Sequence, residues 1–301
     1  MIKRTLYFGS PAYLSTTKQQ LVVKYPNPAE ASKSASIEDV GIVILDHPQI
    51  TISQPLISNL LHNNVALISC NERHLPQGLM LNLDGHHTQQ AQLSAQIEAT
   101  QALKDRLWKS IIQHKIINQA GILKLVGQST ENMNYWSSQV KNGDPKNHEG
   151  RAAANYWKTV FIDYIEGFTR GRFEAEPNAL LNYGYAILRA IVARSIVGSG
   201  LHPSLGIHHH NKYNAYCLAD DLMEPYRPYV DQLVLEIIES EDDWSELTVE
   251  IKSKLLTLPT LDVVVNKKRK PLMLAVQQTS ASLAACYLKE RKKLKLPEWV
   301  S

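Results

Sequence analysis

Residues 200–230 read GLHPSLGIHHHNKYNAYCLADDLMEPYRPYV, and both fold and chemistry can be read outward from them. Three consecutive imidazoles, His208, His209 and His210, precede a group of acids, Asp220, Asp221 and Glu224. Residues 215–223 predict a short helix, because Pro225 disfavours helical backbone in the residue before it. Residues three and four apart share a helix face, so Asp220 and Asp221 each lie within one turn of Glu224. Imidazole and carboxylates converging on one point suit a divalent cation such as Mg2+ or Mn2+. A tetrahedral zinc site would want cysteines, and Cys217 has no Cys-x-x-Cys partner. The plainer alternative is a solvated loop followed by the wet face of a helix.

Upstream of this stretch the pattern is also helical. Leu103, Leu107 and Ile111 recur at four-residue spacing, which predicts a helix running to Asn118 or a little beyond. Asn118 and Gln119 either end that helix or pack beneath a site. Residues 141–150, KNGDPKNHEG, are rich in turn formers and lead into a helix-forming run at Arg151. A lone acid there, Glu149, ordinarily complements the helix dipole. Residues 179–197 predict a long, mostly apolar helix at the domain centre, with Tyr183 and Tyr185 packed in the core rather than facing DNA. Residues 262–265 with the basic run after them predict a short hairpin or loop, and residues 272–288 a last helix.

The beginning of the chain has a different period. Residues 5–8, 12–14, 21–25, 40–45 and 65–69 are short runs of β-branched or aromatic residues, with one helix expected from Ser53 to about His62. The expected class is therefore α+β: a small β-rich domain over residues 1–84, a polar linker over 85–95, and a larger all-α domain over 96–301. His86 and His87 have no acids near them and are assigned to the linker.

Composition narrows the classes. A chain of 301 residues buries a sizeable core, and 44% hydrophobic with 20% charged residues is ordinary for a soluble globular protein. No apolar run is expected to span a membrane, and the start, Met1-Ile2-Lys3-Arg4, lacks a signal peptide's apolar core. Cys70, Cys217 and Cys286 show no framework spacing, which suggests a reducing, cytoplasmic setting. The net charge is only +3, but residues 267–270 read KKRK, and Lys289, Arg291, Lys292, Lys293 and Lys295 crowd a second segment. Each run is either a solvated face or a DNA contact.

The run Leu205-Gly206-Ile207-x-His209-x-Asn211, Asn214, then Leu218-Ala219-x-Asp221-Leu222-Met223-Glu224-Pro225-x-Arg227-Pro228 resembles the signature of the CRISPR-associated endonuclease and integrase family, the adaptation protein named first in the Cas series, in its type II form. Further matches lie in family order at Lys115-Ile116-Ile117-Asn118-Gln119, at Asp144-Pro145-x-Asn147-x-Glu149-Gly150, and at residues 181–188. The resemblance implies a β-rich dimerisation domain and an α-helical catalytic domain. It implies Glu149, His209 and Glu224 as ligands of a catalytic Mg2+ or Mn2+, with no organic cofactor. His209 is picked from the three imidazoles by its spacing to Asn211 and Glu224. Many members carry Asp where this chain has Glu224; type II members look similar to this chain. Asp221 becomes an auxiliary group, and Arg227 either a phosphate clamp or the partner of an acid in the preceding helix.

The implied activity is insertion of spacer DNA into a CRISPR array by transesterification, with nuclease activity on DNA. A related metal-dependent endonuclease, or a transposon integrase acting on branched DNA, is the alternative. The implied partners are double-stranded DNA (prespacer and repeat), a second copy in a homodimer, and a small ferredoxin-like adaptation protein in a heterohexamer, in the cytoplasm of a prokaryote and without a membrane.

Overall fold

The computed structural model describes residues 3–171, 174–241 and 243–299. Met1 and Ile2, used above for the start of the chain, and Val300 and Ser301, at the end of the expected second domain, lie outside them. The chain divides into two compact units, Met1–Gln89 and Gln90–Ser301.

The first unit contains β1 (Arg4–Phe8), β2 (Ala12–Thr17), β3 (Gln20–Lys24), β4 (Lys33–Ser36), β5 (Val40–Leu45), β6 (Ile50–Ile52), α1 (Gln54–His62), β7 (Ala66–Cys70) and β8 (Pro76–Met80). One sheet runs β1-β5-β7-β8 and another β4-β3-β2-β6. The unbroken apolar run of β5 is explained by its place: parallel neighbours on both sides and burial on both faces. Lys18 and Gln19 both take positive φ, the backbone of a two-residue turn that matches strand twist between β2 and β3. Leu14, Leu21, Val23, Val43, Leu56 and Leu60 join both sheets and α1 in one core.

The second unit begins with α2 (Gln89–Ile97) and continues through α3 (Gln101–Leu125), α4 (Glu131–Gln139), α5 (His148–Thr159), α6 (Asn178–Val197), α7 (Cys217–Met223), α8 (Arg227–Ser240), α9 (Val249–Leu255), β9 (Asp262–Val265), β10 (Lys268–Pro271), α10 (Leu272–Tyr287) and β11 (Pro297–Glu298). A single 3-10 turn, Glu224–Tyr226, joins α7 to α8. Tyr156 of α5 and Tyr185 of α6 both donate to the buried Asp231 of α8, at 2.8 and 2.5 Å, and so tie three helices at one carboxylate. Both Tyr183 and Tyr185 are core residues.

Four sequence expectations change. Much of the expected linker is helix, because residues 89–97 are Gln- and Ala-rich with no Gly or Pro, and Gln96 is buried. The Gln96 amide donates to the carbonyls of His202 and Leu205 at 3.0 and 2.9 Å and accepts from the His202 N–H at 2.9 Å, which anchors the backbone just ahead of the histidine run. The helical unit also carries a small sheet, β10-β9-β11, so it is not purely α. Asn266 and Lys267, both with positive φ, turn the β9–β10 hairpin. The first long helix, α3, continues past Asn118 to Leu125 with Gly121 inside it, where a Cβ would meet the Trp299 ring at 2.2 Å. Finally, α6 is long and apolar enough to cross a membrane, but 83% of its apolar stretch is buried among the other helices, so it is the core helix of this unit.

Candidate active site

The loop before α5 is built to aim Glu149. The Asp144 carboxylate accepts from the backbone N–H groups of His148 and Glu149 at 3.0 and 2.9 Å, and the Asn147 side chain caps Gly150 N–H at 3.0 Å. These bonds satisfy donors that a helix start leaves open and place a negative charge at its positive end. A side chain at position 150 would lie 2.7 Å from the Asn147 amide, so glycine there leaves room for the cap.

Glu149 points toward α3, where Lys115 is 8% exposed on a face otherwise made by Trp108, Ile111, Ile112, Ile116 and Ile122. The Lys115 ammonium donates to Glu149 Oε1 at 2.7 Å and lies 2.5 Å from Glu224 Oε2. The second contact is a close ion pair in the interior. The other oxygen, Oε1, accepts from Arg227 Nε at 2.8 Å. Burial raises the Glu224 pKa, but Arg227 and Lys115 outweigh it and hold the carboxyl well below its ordinary value. Burial disfavours the Lys115 ammonium, and Glu224 and Glu149 overcome it, so its pKa stays above normal. Arg227 makes a local ion pair with Glu224, and its guanidinium also lies 4.7 Å from the Tyr185 ring centre.

Asn118 packs directly beneath. Its amide donates to Pro225 O at 2.7 Å and Pro297 O at 3.1 Å and accepts from Trp299 N–H at 2.9 Å. It thereby pins the turn that carries Glu224 to α3. Asp220 and Asn214 have local duties: Asp220 accepts from Arg189 and from Asn214, each at 2.7 Å.

Asp221 organises the histidines. It is fully buried, and its carboxylate accepts from the N–H groups of Ile207, His208 and His209 at 2.6, 2.9 and 3.3 Å and from His209 Nδ1 at 2.6 Å. A Cβ at Gly206 would meet His209 O at 2.3 Å and Asp221 Oδ2 at 3.0 Å, so the wrap requires glycine. With Nδ1–H given to Asp221, the lone pair of neutral His209 is on Nε2, the form in which an imidazole ligates a metal. The Asp221 hydrogen bond raises the His209 pKa, burial opposes it, and the charges of Asp221, Glu224 and Glu149 add to the rise. His208 instead stacks on Trp108, with ring centres 4.3 Å apart and planes 3° from parallel. His210 is exposed.

Glu149 and Glu224, from two segments, thus meet on the Lys115 ammonium, and His209, from a third, lies near enough for the charges of both to raise its pKa. The donor set of two carboxylates and one imidazole whose Nδ1 is given to Asp221 fits a divalent cation by its chemistry. Among the described residues no three His, Cys, Asp or Glu side chains are gathered tightly enough to hold a cation as they stand. The Lys115 ammonium lies between the two carboxylates. Reasoning from sequence assigned no role to Lys115 or Trp108. Their signal was position: a lysine and a tryptophan in register with the buried isoleucines of α3.

The Asp221→Asn variant tests the scaffold. An amide cannot accept from all four donors as a carboxylate does, and it removes the charge that supports imidazolium. The expected outcome is a loss of about 2 kcal/mol or more of stability, by the worth of hydrogen bonds to a charged group, together with a fall in the His209 pKa followed by NMR. The His209–Asp221 ion pair stabilises fully below the ordinary histidine pKa and is lost as pH rises through the raised value, so the deficit of the variant is largest at acid pH. An unchanged His209 titration contradicts the assignment.

A family model described as CRISPR associated protein Cas1 matches residues 6–246. A CRISPR-associated endonuclease Cas1 from Neisseria meningitidis is 33% identical over 99% of this chain and 97% of its own length. Among solved structures, a casposase bound to integration product superposes with a TM-score of 0.79 at 21% identity, covering 100% of this chain and 95% of that one. A Cas1 protein from Thermotoga maritima does so at 0.76 and 15% identity, covering 97% and 99%. The two structural likenesses speak for the fold, while the sequence matches run through α5, the histidine segment and α7; on these grounds the chain belongs to the Cas1 family.

Proposed function

We propose that this protein is the integrase of CRISPR adaptation: a divalent-metal-dependent enzyme that joins the 3′-hydroxyl ends of a short DNA duplex to a CRISPR repeat, and that cuts DNA when water replaces the hydroxyl. The observation that supports the reading is the pairing of Glu149 and Glu224 on one ammonium, with the Asp221-held His209 within reach of their charges, in a member of a family whose relatives are named endonucleases.

The three side chains are the proposed ligands of Mg2+ or Mn2+. When bound there, such a cation supplies Lewis-acid stabilisation of the charge that builds on phosphate oxygens during in-line displacement. Asp221 holds the His209 ring so that Nε2 is the ligand atom. Arg227 and Asn118 fix the Glu224 carboxylate and the turn beneath it. His209 and Glu149 are the more open members, with side chains 45% and 23% exposed against 6% for Glu224, so the DNA phosphate approaches from their side.

The two basic runs are proposed DNA contacts. Lys267, Lys268 and Arg269 are exposed on the β9–β10 hairpin, and Lys289, Arg291, Lys292 and Lys293 are exposed ahead of β11. Because β10 and β11 both pair with β9, the two runs flank one small sheet. A homodimer formed through the first unit is proposed from its open sheet edges β1, β4, β6 and β8. A small ferredoxin-like partner, in a heterohexamer, is proposed from membership of the family.

Half-site integration of a labelled duplex into a repeat-containing plasmid tests the activity. Glu149→Ala, His209→Ala and Glu224→Ala are each expected to lower joining by about a hundredfold or more, the usual loss for an oriented ligand or donor. DNA affinity should survive, because phosphate contacts from basic residues supply it. Neutralising residues 267–270, or separately 289–295, should weaken affinity and flatten its salt dependence. Full joining by Glu149→Ala or Glu224→Ala removes the proposed site, and unchanged salt dependence makes the basic runs solvated faces. For the dimer, light scattering at micromolar concentration should give twice the 33.9 kDa chain mass; a strict monomer overturns it.

A further inference from the structure

Lysine is among the residues least often buried, and a buried ammonium persists only where it is paired. Lys115, 8% exposed, is such a paired lysine. It rises from the middle of α3, between turns that carry Ile111, Ile112 and Asn118, and its ammonium touches both Glu149 and Glu224. Arg227 covers the remaining oxygen of Glu224. The four groups, two acids and two bases, balance in charge.

That balance has a consequence for any cation that binds the same carboxylates. A divalent ion added to the set with Lys115 in place would put two further positive charges beside an ammonium and a guanidinium, a like-charge contact strongly opposed where water is scarce. The two contacts of Lys115 differ in exposure: both carboxylates hold the ammonium, at 2.7 and 2.5 Å, but the Glu149 side chain is 23% exposed and that of Glu224 only 6%. The ammonium stands on a flexible four-carbon stem, and Glu149 beside it is the partly open side of the site.

We propose that Lys115 is an internal cation: it holds Glu149 and Glu224 together before a divalent ion arrives, and it competes with that ion for the same two carboxylates. The inference rests on the divalent-cation reading given under Proposed function. Lys115 is a positioning residue in this account, and its signature is metal affinity. A lysine that only buttressed the ligands would support metal binding, so its removal would weaken it. A competing lysine does the opposite.

The test is calorimetric titration of Mn2+ into the full chain as wild type, Lys115→Met and Lys115→Gln, the glutamine keeping a donor toward the carboxylates. Loss of one charge-assisted competitor is expected to tighten Mn2+ binding by about tenfold. In melts with a chelator both variants should unfold earlier than wild type, because two carboxylates face each other unpaired, and Mn2+ should raise their melting temperature by more than it raises that of wild type. Equal or weaker Mn2+ binding in a folded variant overturns the proposal. Should neither variant fold, the wild type decides: with lysine labelled at 15Nζ, one protected ammonium resonance should shift or vanish as Mg2+ is added, and its persistence at saturating Mg2+ overturns the proposal. Folded wild-type protein that takes up no Mn2+ or Mg2+ is a different result, since it removes the divalent-cation reading itself.

Discussion

The ionic string Glu149–Lys115–Glu224–Arg227 is the constraint on which the catalytic unit depends. It joins α5, α3 and the α7–α8 junction at their point of closest functional interest. Taking such charges out of water costs several kcal/mol each, and the cost is recovered only with good geometry and full pairing. Apolar side chains of the same volume would hold these helices together at less expense. That four charged groups persist in the interior argues that the place is kept for chemistry rather than for stability.

Around this string the structure repeats one device: a buried polar side chain that accepts or donates several times and so fixes a segment with no regular structure of its own. Asp221 gathers the turn at 206–209, Asp144 starts α5, Asn118 holds the Glu224 turn, and Gln96 anchors residues 202–205. Each satisfies backbone groups that the interior cannot leave bare. The histidine segment, which has neither helix nor strand, is thereby tied at several backbone groups to Gln96 and Asp221. Such rigidity suits a site that must present ligands in fixed directions.

The fold class was legible because period and punctuation change along the chain: β-branched runs with two-residue turns, then apolar residues at helical spacing. The ligand candidates were legible because unlike residue types recur together, with histidines, Asn211 and Asn214 ahead of Asp221 and Glu224. What the sequence hid was reciprocal contact. Lys115 reads as one more polar residue in α3 until Glu149, 34 positions later, and Glu224 are seen on the same ammonium. Arg227 likewise gave no sign in the sequence of which acid it meets, and the structure puts it 2.8 Å from Glu224. The β9–β10–β11 sheet was obscured because β11 is two residues long and lies far along the chain from its partner.

Glu149, His209 and Glu224 are proposed to form one cation site from three separate segments. A crystal structure of the chain with Mn2+, read by anomalous scattering at the manganese edge, tests it most directly. The account predicts one strong peak ligated by His209 Nε2 and by oxygens of Glu149 and Glu224, with the Lys115 ammonium moved away from both carboxylates. Manganese bound elsewhere, or bound with His208 or His210 as its imidazole, would contradict it.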